Sequence, residues 1–337
     1  MGGNMFNDKV LLVTGGTGSF GHMFTKMTLE RYRPKKLIIF SRDEMKQWEM
    51  AKKFANNPCV RFFIGDVRDE DRLQFAMRNV DYVVHAAATK IVPTAEYNPQ
   101  ECIKTNVIGA MNIIQACVRT QVKKVVALST DKACSPVNLY GATKLTSDKL
   151  FNAANIHFGE NETRFAVVRY GNVMGSRGSV IPFFKNLTEN GSETLPITDE
   201  RMTRFMITLN QAVDLVWKAF ADMEGGELYV RKIPSMRVVD IAHCINEKAR
   251  FEFIGIRPGE KLHEQMITAE DAMHTYEYDE YYKIIPPILN AERKQKRIKD
   301  GIQVPPDFCY ASNTNTEWMS IETLRAWLAD IKNNILV

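Results

Sequence analysis

The stretch Val10-Leu-Leu-Val-Thr-Gly-Gly-Thr-Gly-Ser-Phe-Gly21, near the start of the chain, decides the fold. A short β-prone run leads directly into glycines at positions 15, 18 and 21, in a Gly-x-x-Gly-x-x-Gly arrangement. Such glycines let the backbone approach a pyrophosphate closely, and the helix that follows offers unpaired N–H groups and its positive dipole end. We therefore predict a strand, a phosphate-binding turn and a helix, although a plain tight turn is the alternative.

The rest of the first half repeats this alternation of strand and helix. Further short apolar runs occupy residues 37–40, 60–64, 82–85, 125–128 and 165–169. Helical stretches separate them at 19–32, 44–56, 70–78, 99–120 and 142–155. Because such alternation produces a parallel sheet with helices on both faces, we predict an α/β, Rossmann-like, doubly wound fold.

After about residue 173 the pattern loosens, and proline and Gly-Gly breaks become frequent. This change predicts a smaller, loop-rich substrate lobe. We expect residues 5–173 to form a Rossmann domain that binds the cofactor and includes returning strands from the C-terminal half. Residues 174–337 should form mainly the substrate lobe.

Composition excludes several classes of function. The net charge of +4 is small for 337 residues, and basic and acidic residues are interspersed, so nucleic acid is not an expected partner. The six cysteines and six histidines show no metal-ligand spacing, and no metal is predicted. No apolar run reaches the roughly 18 residues of a membrane span. We expect a cytoplasmic protein with reduced cysteines and no membrane association.

The ends of the predicted strands carry the residues that distinguish one dinucleotide from another. An NAD site usually has an acid at the end of the second strand, but Arg42 stands there and favours the 2′-phosphate of NADP. Asp43, one residue further on, could supply the acid of an NAD site, so NAD stays an alternative. An aspartate at this position is more commonly a helix N-cap. Asp66 follows the third strand and can meet the adenine amine or simply form a turn. The fourth strand ends in His85, which we interpret as a core histidine, and three alanines follow it.

The segment Tyr140-Gly-Ala-Thr-Lys144 places a phenol and an ammonium four residues apart, on one face of a predicted helix. A nearby cation can lower the pKa of a phenol, which would make Tyr140 a proton acceptor for a substrate hydroxyl. Taken alone, such a pair is usually a surface feature. Here it follows the fifth strand at the sheet edge where open α/β folds bind ligands, which favours a catalytic role.

Between that strand and the tyrosine lies Thr130-Asp131-Lys132. One interpretation is a capped loop with a surface ion pair. The other is a β-elimination pair, in which a carboxylic acid protonates a leaving hydroxyl and an amine removes a carbon-bound proton.

At this point the chain resembles the extended short-chain dehydrogenase/reductase family and, within it, the UDP-N-acetylglucosamine 4,6-dehydratases, most of all the C5-inverting type of pseudaminic acid biosynthesis. The resemblance covers nearly the whole chain and rests on the stretches 15–21, 41–44, 65–69, 129–133, 138–144, 169–173, 175–179, 202–205 and 257–264. It implies NADP as cofactor, UDP-N-acetylglucosamine as substrate and a homo-oligomer, either a dimer or a hexamer.

The residues expected in the site fall into three groups. The catalytic group is Thr130, Asp131, Lys132, Tyr140 and Lys144. The cofactor group is Gly15, Thr17, Gly18, Ser19, Phe20, Gly21, Ser41, Arg42, Asp43, Lys46, Asp66, Val67, Ala87, Tyr140, Lys144 and Val173. The resemblance implies substrate contacts from Lys90, Asn172, Val180, Thr198, Arg204, Arg257 and Glu260. Without the resemblance, the charged residues of this last group would be interpreted as partners in surface salt bridges. The chain departs from the family pattern at Thr89 and Ile91, where a larger apolar residue and a histidine are expected.

These residues lead to one hypothesis for the reaction. Tyr140 removes the 4-hydroxyl proton during C4 oxidation, neutral Lys132 takes the C5 proton, and protonated Asp131 releases the 6-hydroxyl as water. A C5-retaining UDP-sugar 4,6-dehydratase is one alternative. A UDP-sugar 4-epimerase is another, but it has no need for an acid and a base at 131 and 132. A non-catalytic NADP-binding regulator is a third alternative, but it would tolerate a broken catalytic set.

Overall fold

The computed structural model describes residues 4–158, 163–176 and 178–334. Arg177, part of the quoted stretch 175–179, lies outside them. Among the described residues, no helix combines the length and the apolar character that crossing a membrane requires.

Seventeen strands occur in this part of the chain. They are β1 Val10–Thr14, β2 Lys36–Ser41, β3 Val60–Ile64, β4 Tyr82–His85, β5 Lys124–Leu128, β6 Arg164–Arg169, β7 Asn172–Val173, β8 Thr194–Ile197, β9 Thr203–Ile207, β10 Leu228–Arg231, β11 Ser235–Arg237, β12 Arg250–Phe253, β13 Gln265–Ile267, β14 Thr275–Glu277, β15 Tyr281–Ile284, β16 Ile302–Gln303 and β17 Tyr310–Ala311.

The same residues form thirteen α-helices. They are α1 Ser19–Arg31, α2 Glu44–Lys53, α3 Glu70–Ala76, α4 Val92–Tyr97, α5 Pro99–Ile103, α6 Gly109–Arg119, α7 Leu139–His157, α8 Val180–Glu189, α9 Leu209–Asp222, α10 Val238–Ile245, α11 Ala269–Ala272, α12 Ala291–Ile298 and α13 Ile321–Asn334. A π-helical turn, Lys104–Ile108, joins α5 to α6, and a 3-10 turn, Asp131–Ala133, follows β5.

Ten strands build the main sheet, in the order β16-β14-β15-β10-β6-β5-β4-β1-β2-β3. The seven strands from β10 to β3 are parallel, and β15, β14 and β16 add an antiparallel edge. The order reverses between β1 and β4, and ligands bind in doubly wound folds beside such a reversal, at the carboxyl ends of the strands. The predicted α/β doubly wound sheet is therefore confirmed.

Each predicted strand of the first half is present, with at most one residue added at either end. Each predicted helix is also present, but 99–120 is not one regular helix. A π-helical turn interrupts it and carries Asn106, whose side chain accepts a hydrogen bond from the Thr89 backbone (2.9 Å) and donates one to the Thr89 carbonyl (3.0 Å). The single wide turn leaves the apolar spacing of the sequence nearly unchanged, so periodicity does not reveal it.

Past residue 173 a second, smaller apolar core forms around Ile181, Phe184, Leu195 and Met206. Around it lie a three-stranded sheet, β11-β9-β7, and the pair β12-β8. The strands β10, β14, β15 and β16 return from this half of the chain to the main sheet. The expected boundary at residue 173 stays a prediction.

The glycine turn after β1 depends on contacts between backbones. Gly15 has a φ of +62°, and a Cβ there would lie 2.8 Å from the Ala87 backbone. A Cβ on Gly21 would lie 2.1 Å from the Gly16 carbonyl oxygen. Gly15 thus supplies a left-handed conformation, while Gly21 lets α1 begin directly against the turn.

We expect Gly21→Ala to lower the free energy of unfolding by about 1–3 kcal/mol, because the methyl group must displace a backbone carbonyl. Gly18→Ala is the matched control, since Gly18 has a φ of −78° and its added Cβ would approach the Gly15 carbonyl only to 3.3 Å. Urea unfolding of both variants measures the difference. Equal stability of the two would show that the turn can relax around the methyl group.

Candidate active site

One cleft of about 1210 Å³ runs across the carboxyl ends of β1, β2, β4 and β5 and into the second lobe. It is larger than the roughly 300–1,000 Å³ that a single small ligand occupies, which suits two ligands side by side. All of the predicted cofactor residues except Gly21, all of the predicted substrate residues, and the catalytic residues except Asp131 line it. Gly21 lies beneath the turn, and Asp131 is 1% exposed behind the wall.

Two charged side chains, Arg42 and Asp43, follow the end of β2 and make different contacts. Asp43 caps α2 by accepting a hydrogen bond from the Lys46 backbone N–H (3.0 Å), and it also pairs with the Lys46 ammonium (3.0 Å). Its interpretation as an N-cap is confirmed. Arg42 is 59% exposed on the cleft wall, 3.7 Å from Asp66. A cation therefore faces the cleft where an NAD site usually has an acid.

Helix α7, which carries Tyr140 and Lys144, begins at a cap that also contacts the loop at Gly259. The Asn138 side chain accepts a hydrogen bond from the Gly141 N–H (2.7 Å) and donates to the Gly259 carbonyl (2.8 Å). A Cβ on Gly141 would lie 2.1 Å from the Lys132 carbonyl oxygen, so only glycine allows α7 to pack this closely against the 3-10 turn. These two contacts bring the tyrosine, the elimination pair and the loop around 259 together.

Tyr140 and Lys144 lie on the buried face of α7, and both line the cleft. Burial raises the pKa of Tyr140 to about 12, although Lys132 and a hydrogen bond with Thr130 act to lower it. Burial thus outweighs the groups that lower this pKa, and the expected effect of Lys144 on the phenol stays a prediction. Burial also lowers the pKa of Lys144, with Asp148 opposing that effect.

Asp131 and Lys132 form a buried cluster with Glu264, which immediately precedes β13. The Lys132 ammonium lies 3.1 Å from Asp131 Oδ1 and 3.3 Å from Glu264 Oε1, and it donates to Asn172 Oδ1 at 3.5 Å. Burial acts to lower the pKa of Lys132, but the two carboxylates raise it above its usual value. The neutral amine of the hypothesis is therefore not the resting form.

Asp131 differs from Glu264 in its proton affinity. Burial raises the pKa of Asp131. Burial acts in the same direction on Glu264, but Lys132 and Arg204 outweigh it and lower the pKa of that carboxyl. The raised value suits the predicted role of Asp131 as a carboxylic acid.

Several of the predicted substrate residues contact one another or the cluster around Lys132. Arg257 pairs with Glu260 at the rim, and the Thr198 hydroxyl donates to Glu260 at 3.5 Å. Arg204 is buried, and its guanidinium donates to the backbone carbonyls of residues 203, 261 and 262. Its Nε lies 3.9 Å from Glu264 Oε1, so its charge faces the cluster of Asp131, Lys132 and Glu264. Its contact with a substrate diphosphate stays a prediction.

Residues 11–286 match the family described as "Polysaccharide biosynthesis protein". The chain belongs to this family. A relative named UDP-N-acetylglucosamine 4,6-dehydratase (inverting), from Campylobacter jejuni, is 56% identical over 95% of this chain and 97% of its own length. A UDP-glucose 4-epimerase from Rickettsia canadensis is 45% identical over 83% of this chain and 84% of its own. The solved structure of Pen from Bacillus thuringiensis covers 97% of this chain and 99% of its own, with a TM-score of 0.89 and 38% identity.

Within this family member, Glu264 is the functional candidate that the sequence analysis missed. The residue closes the quoted stretch 257–264, but it lies 133 positions after Asp131 and 132 after Lys132, so no spacing rule links them. Only the packing of β13 against the 3-10 turn brings them together.

His85, at the end of β4, is confirmed as a core residue. It is 1% exposed, its Nδ1 lies 2.8 Å from the Thr14 hydroxyl, and burial lowers its pKa from the usual 6.5 to about 3. It therefore stays neutral in the folded protein at neutral pH and holds Thr14 beneath the glycine turn.

We expect the stability of the protein to fall as the pH drops from 6.5 towards 3, because the unfolded chain protonates His85 in that window and the folded chain does not. The contribution is at most about 1.4 kcal/mol per pH unit. In His85→Asn, which retains a polar partner for Thr14 but does not titrate, the free energy of unfolding should depend less steeply on pH. An unchanged slope in urea unfolding between pH 6.5 and 4.5 would contradict this assignment.

Proposed function

We propose that this chain is an inverting UDP-N-acetylglucosamine 4,6-dehydratase, a hydro-lyase that forms UDP-2-acetamido-2,6-dideoxy-L-arabino-hexos-4-ulose. The observation that carries the proposal is that Lys132 lines the same cleft as Tyr140 and contacts Asp131, which is buried behind the wall of that cleft. A 4-epimerase must only remove and return hydrogen at C4, so it has no use for an acid and a base at this position. The C. jejuni relative bears the name of this activity.

The residues of the cleft fit a nicotinamide dinucleotide. The turn at Gly15 leaves no room for a side chain beside Ala87, and the N-terminus of α1 follows it directly, as phosphate binding requires. We propose NADP rather than NAD because Arg42 faces the cleft while the carboxylate of Asp43 is engaged as a helix cap. When bound, this cofactor supplies hydride chemistry at C4 and C6 of the sugar.

The protein's own residues handle the protons. Tyr140, once its phenol has lost its own proton, takes the proton of the 4-hydroxyl, and the resulting 4-ketone acidifies the C5–H bond. Lys132, once neutral, removes the C5 proton. Asp131 gives its proton to the 6-hydroxyl, which leaves as water. Asp131 Oδ1 already accepts bonds from Thr130 and Lys132, which leaves Oδ2 to carry the acidic proton.

Binding of the UDP-sugar is assigned to the second lobe. We propose that Arg257 contacts the diphosphate and that Glu260 bridges ribose hydroxyls, since both lie at the rim of the cleft. Lys90, Asn172, Val180 and Thr198 would then surround the sugar and the nucleotide. We further propose a homo-oligomeric, cytoplasmic enzyme of pseudaminic acid biosynthesis. Free cysteines at all six positions fit a reducing compartment.

Incubation of the protein with UDP-N-acetylglucosamine in deuterated water tests the activity. We expect mass spectrometry to show the loss of one water and the gain of one deuterium at C5, and early proton NMR to show the L-arabino configuration. An early product with only the D-xylo configuration would indicate retention at C5. Formation of the 4-epimer without loss of water would favour the epimerase.

Cofactor choice is tested at Arg42. We expect NADP to bind more tightly than NAD, and Arg42→Ala to remove about 1.5–3 kcal/mol of that preference, because the 2′-phosphate loses a charge-assisted contact. Arg61→Ala is the control, since Arg61 is an exposed arginine on β3 that does not line the cleft. Titration of each protein with both dinucleotides measures the preference, and equal affinities in the wild type would refute the assignment.

A further inference from the structure

We propose that Glu264 is a positioning residue for the elimination step: it holds the Lys132 ammonium at rest and takes one proton from it, which makes Lys132 the neutral base at C5. This inference rests on the proposed function. It concerns a residue that no part of the sequence analysis assigned to the site.

The first argument is the position of the carboxyl group. Glu264 lines the cleft although its side chain is only 3% exposed, and its Oε1 lies 3.3 Å from Lys132 Nζ. Its other oxygen, Oε2, is buried and has no hydrogen-bond partner among the residues that the structure describes. An unpaired buried carboxylate oxygen costs free energy unless it carries or receives a proton.

The second argument is how firmly the residue is placed. The Glu264 backbone N–H donates to Ser312 Oγ (2.9 Å), and the Ser312 N–H donates to the Glu264 carbonyl (2.8 Å). Ser312 is itself bonded to Thr203 (2.7 Å). Glu264 is thus fixed on the side of Lys132 that Asp131 does not occupy, and Arg204 stands behind it at 3.9 Å.

The third argument is the proton count. Asp131 must keep its proton for the leaving hydroxyl, so it is not free to take a second one from Lys132. Glu264 is the other carboxylate that touches the ammonium. Transfer over this contact breaks one N–H bond and forms one O–H bond, which turns the ion pair into an amine and a carboxylic acid.

The cycle then closes without a net change of protons in the cluster. Lys132 gains the C5 proton, and Asp131 loses its proton to the departing water. The proton on Glu264 returns through Lys132, which touches both carboxyl groups, to Asp131. The resting arrangement of acid, ammonium and carboxylate is restored.

The test compares Glu264→Gln, which can still accept a hydrogen bond but cannot take the proton, with Glu264→Asp, which can. Each variant is mixed with UDP-N-acetylglucosamine and oxidised cofactor in a single turnover. Absorbance of the reduced cofactor reports C4 oxidation, and mass spectrometry reports the loss of water. Glu270→Gln, an exposed carboxylate outside the cleft, is the matched control and should behave as the wild type.

We expect Glu264→Gln to oxidise C4 normally, to accumulate reduced cofactor and to release water about 100-fold more slowly or worse. Glu264→Asp should recover much of that loss. Water release by Glu264→Gln at the wild-type rate would overturn the inference. Loss of C4 oxidation in Glu264→Gln, or an equal defect in Glu264→Asp, would also overturn it, because Glu264 would then serve only to build the cleft. If the wild type released no water, the proposed function would fail and this inference with it.

Discussion

Buried carboxyl groups need partners, and the Lys132 ammonium, which is 25% exposed at the cleft, supplies one to both Asp131 and Glu264. Its two carboxylate partners come from segments far apart in the chain, Asp131 beside it and Glu264 just before β13. Removing charges from water costs several kcal/mol per ion unless good partners replace the solvent. The cluster therefore constrains how the second lobe sits against the sheet, since Lys132 keeps its partners only if β13 packs against the 3-10 turn.

That packing depends on close contacts between backbone segments. Gly141 lets α7 approach the Lys132 carbonyl, and Gly15 lets the first turn approach Ala87. At both sites a methyl group would collide with main-chain atoms, which cannot swing aside as a flexible side chain can. The glycine turn after β1 and the turn that carries Lys132 thus share one physical requirement, the close approach of backbone segments at the carboxyl edge of a parallel sheet.

Chains similar to this one can belong to enzymes of different name. A relative named as a 4-epimerase is 45% identical over 83% of this chain, so the sheet, the glycine turn and the cleft do not by themselves determine the reaction. The chemistry depends on a few groups whose proton affinities the fold separates. Burial raises the pKa of Asp131, while Lys132 and Arg204 hold that of Glu264 below its usual value against the effect of burial.

The sequence alone determined the local elements. The periodicity of apolar residues, the glycines of turns and the residues at strand ends depend only on positions close together in the chain. It identified the strands of the first half, the turn at 15–21, the N-cap at Asp43 and the core position of His85. Tertiary structure alone decided the π-helical turn at 104–108, the raised pKa of Tyr140 and the presence of Glu264 beside Lys132. Proton affinity depends on burial and on charges within a few ångströms. Burial follows from the packing of the whole chain, and the contact of Glu264 with Lys132 joins residues 132 positions apart, so no local pattern predicts either.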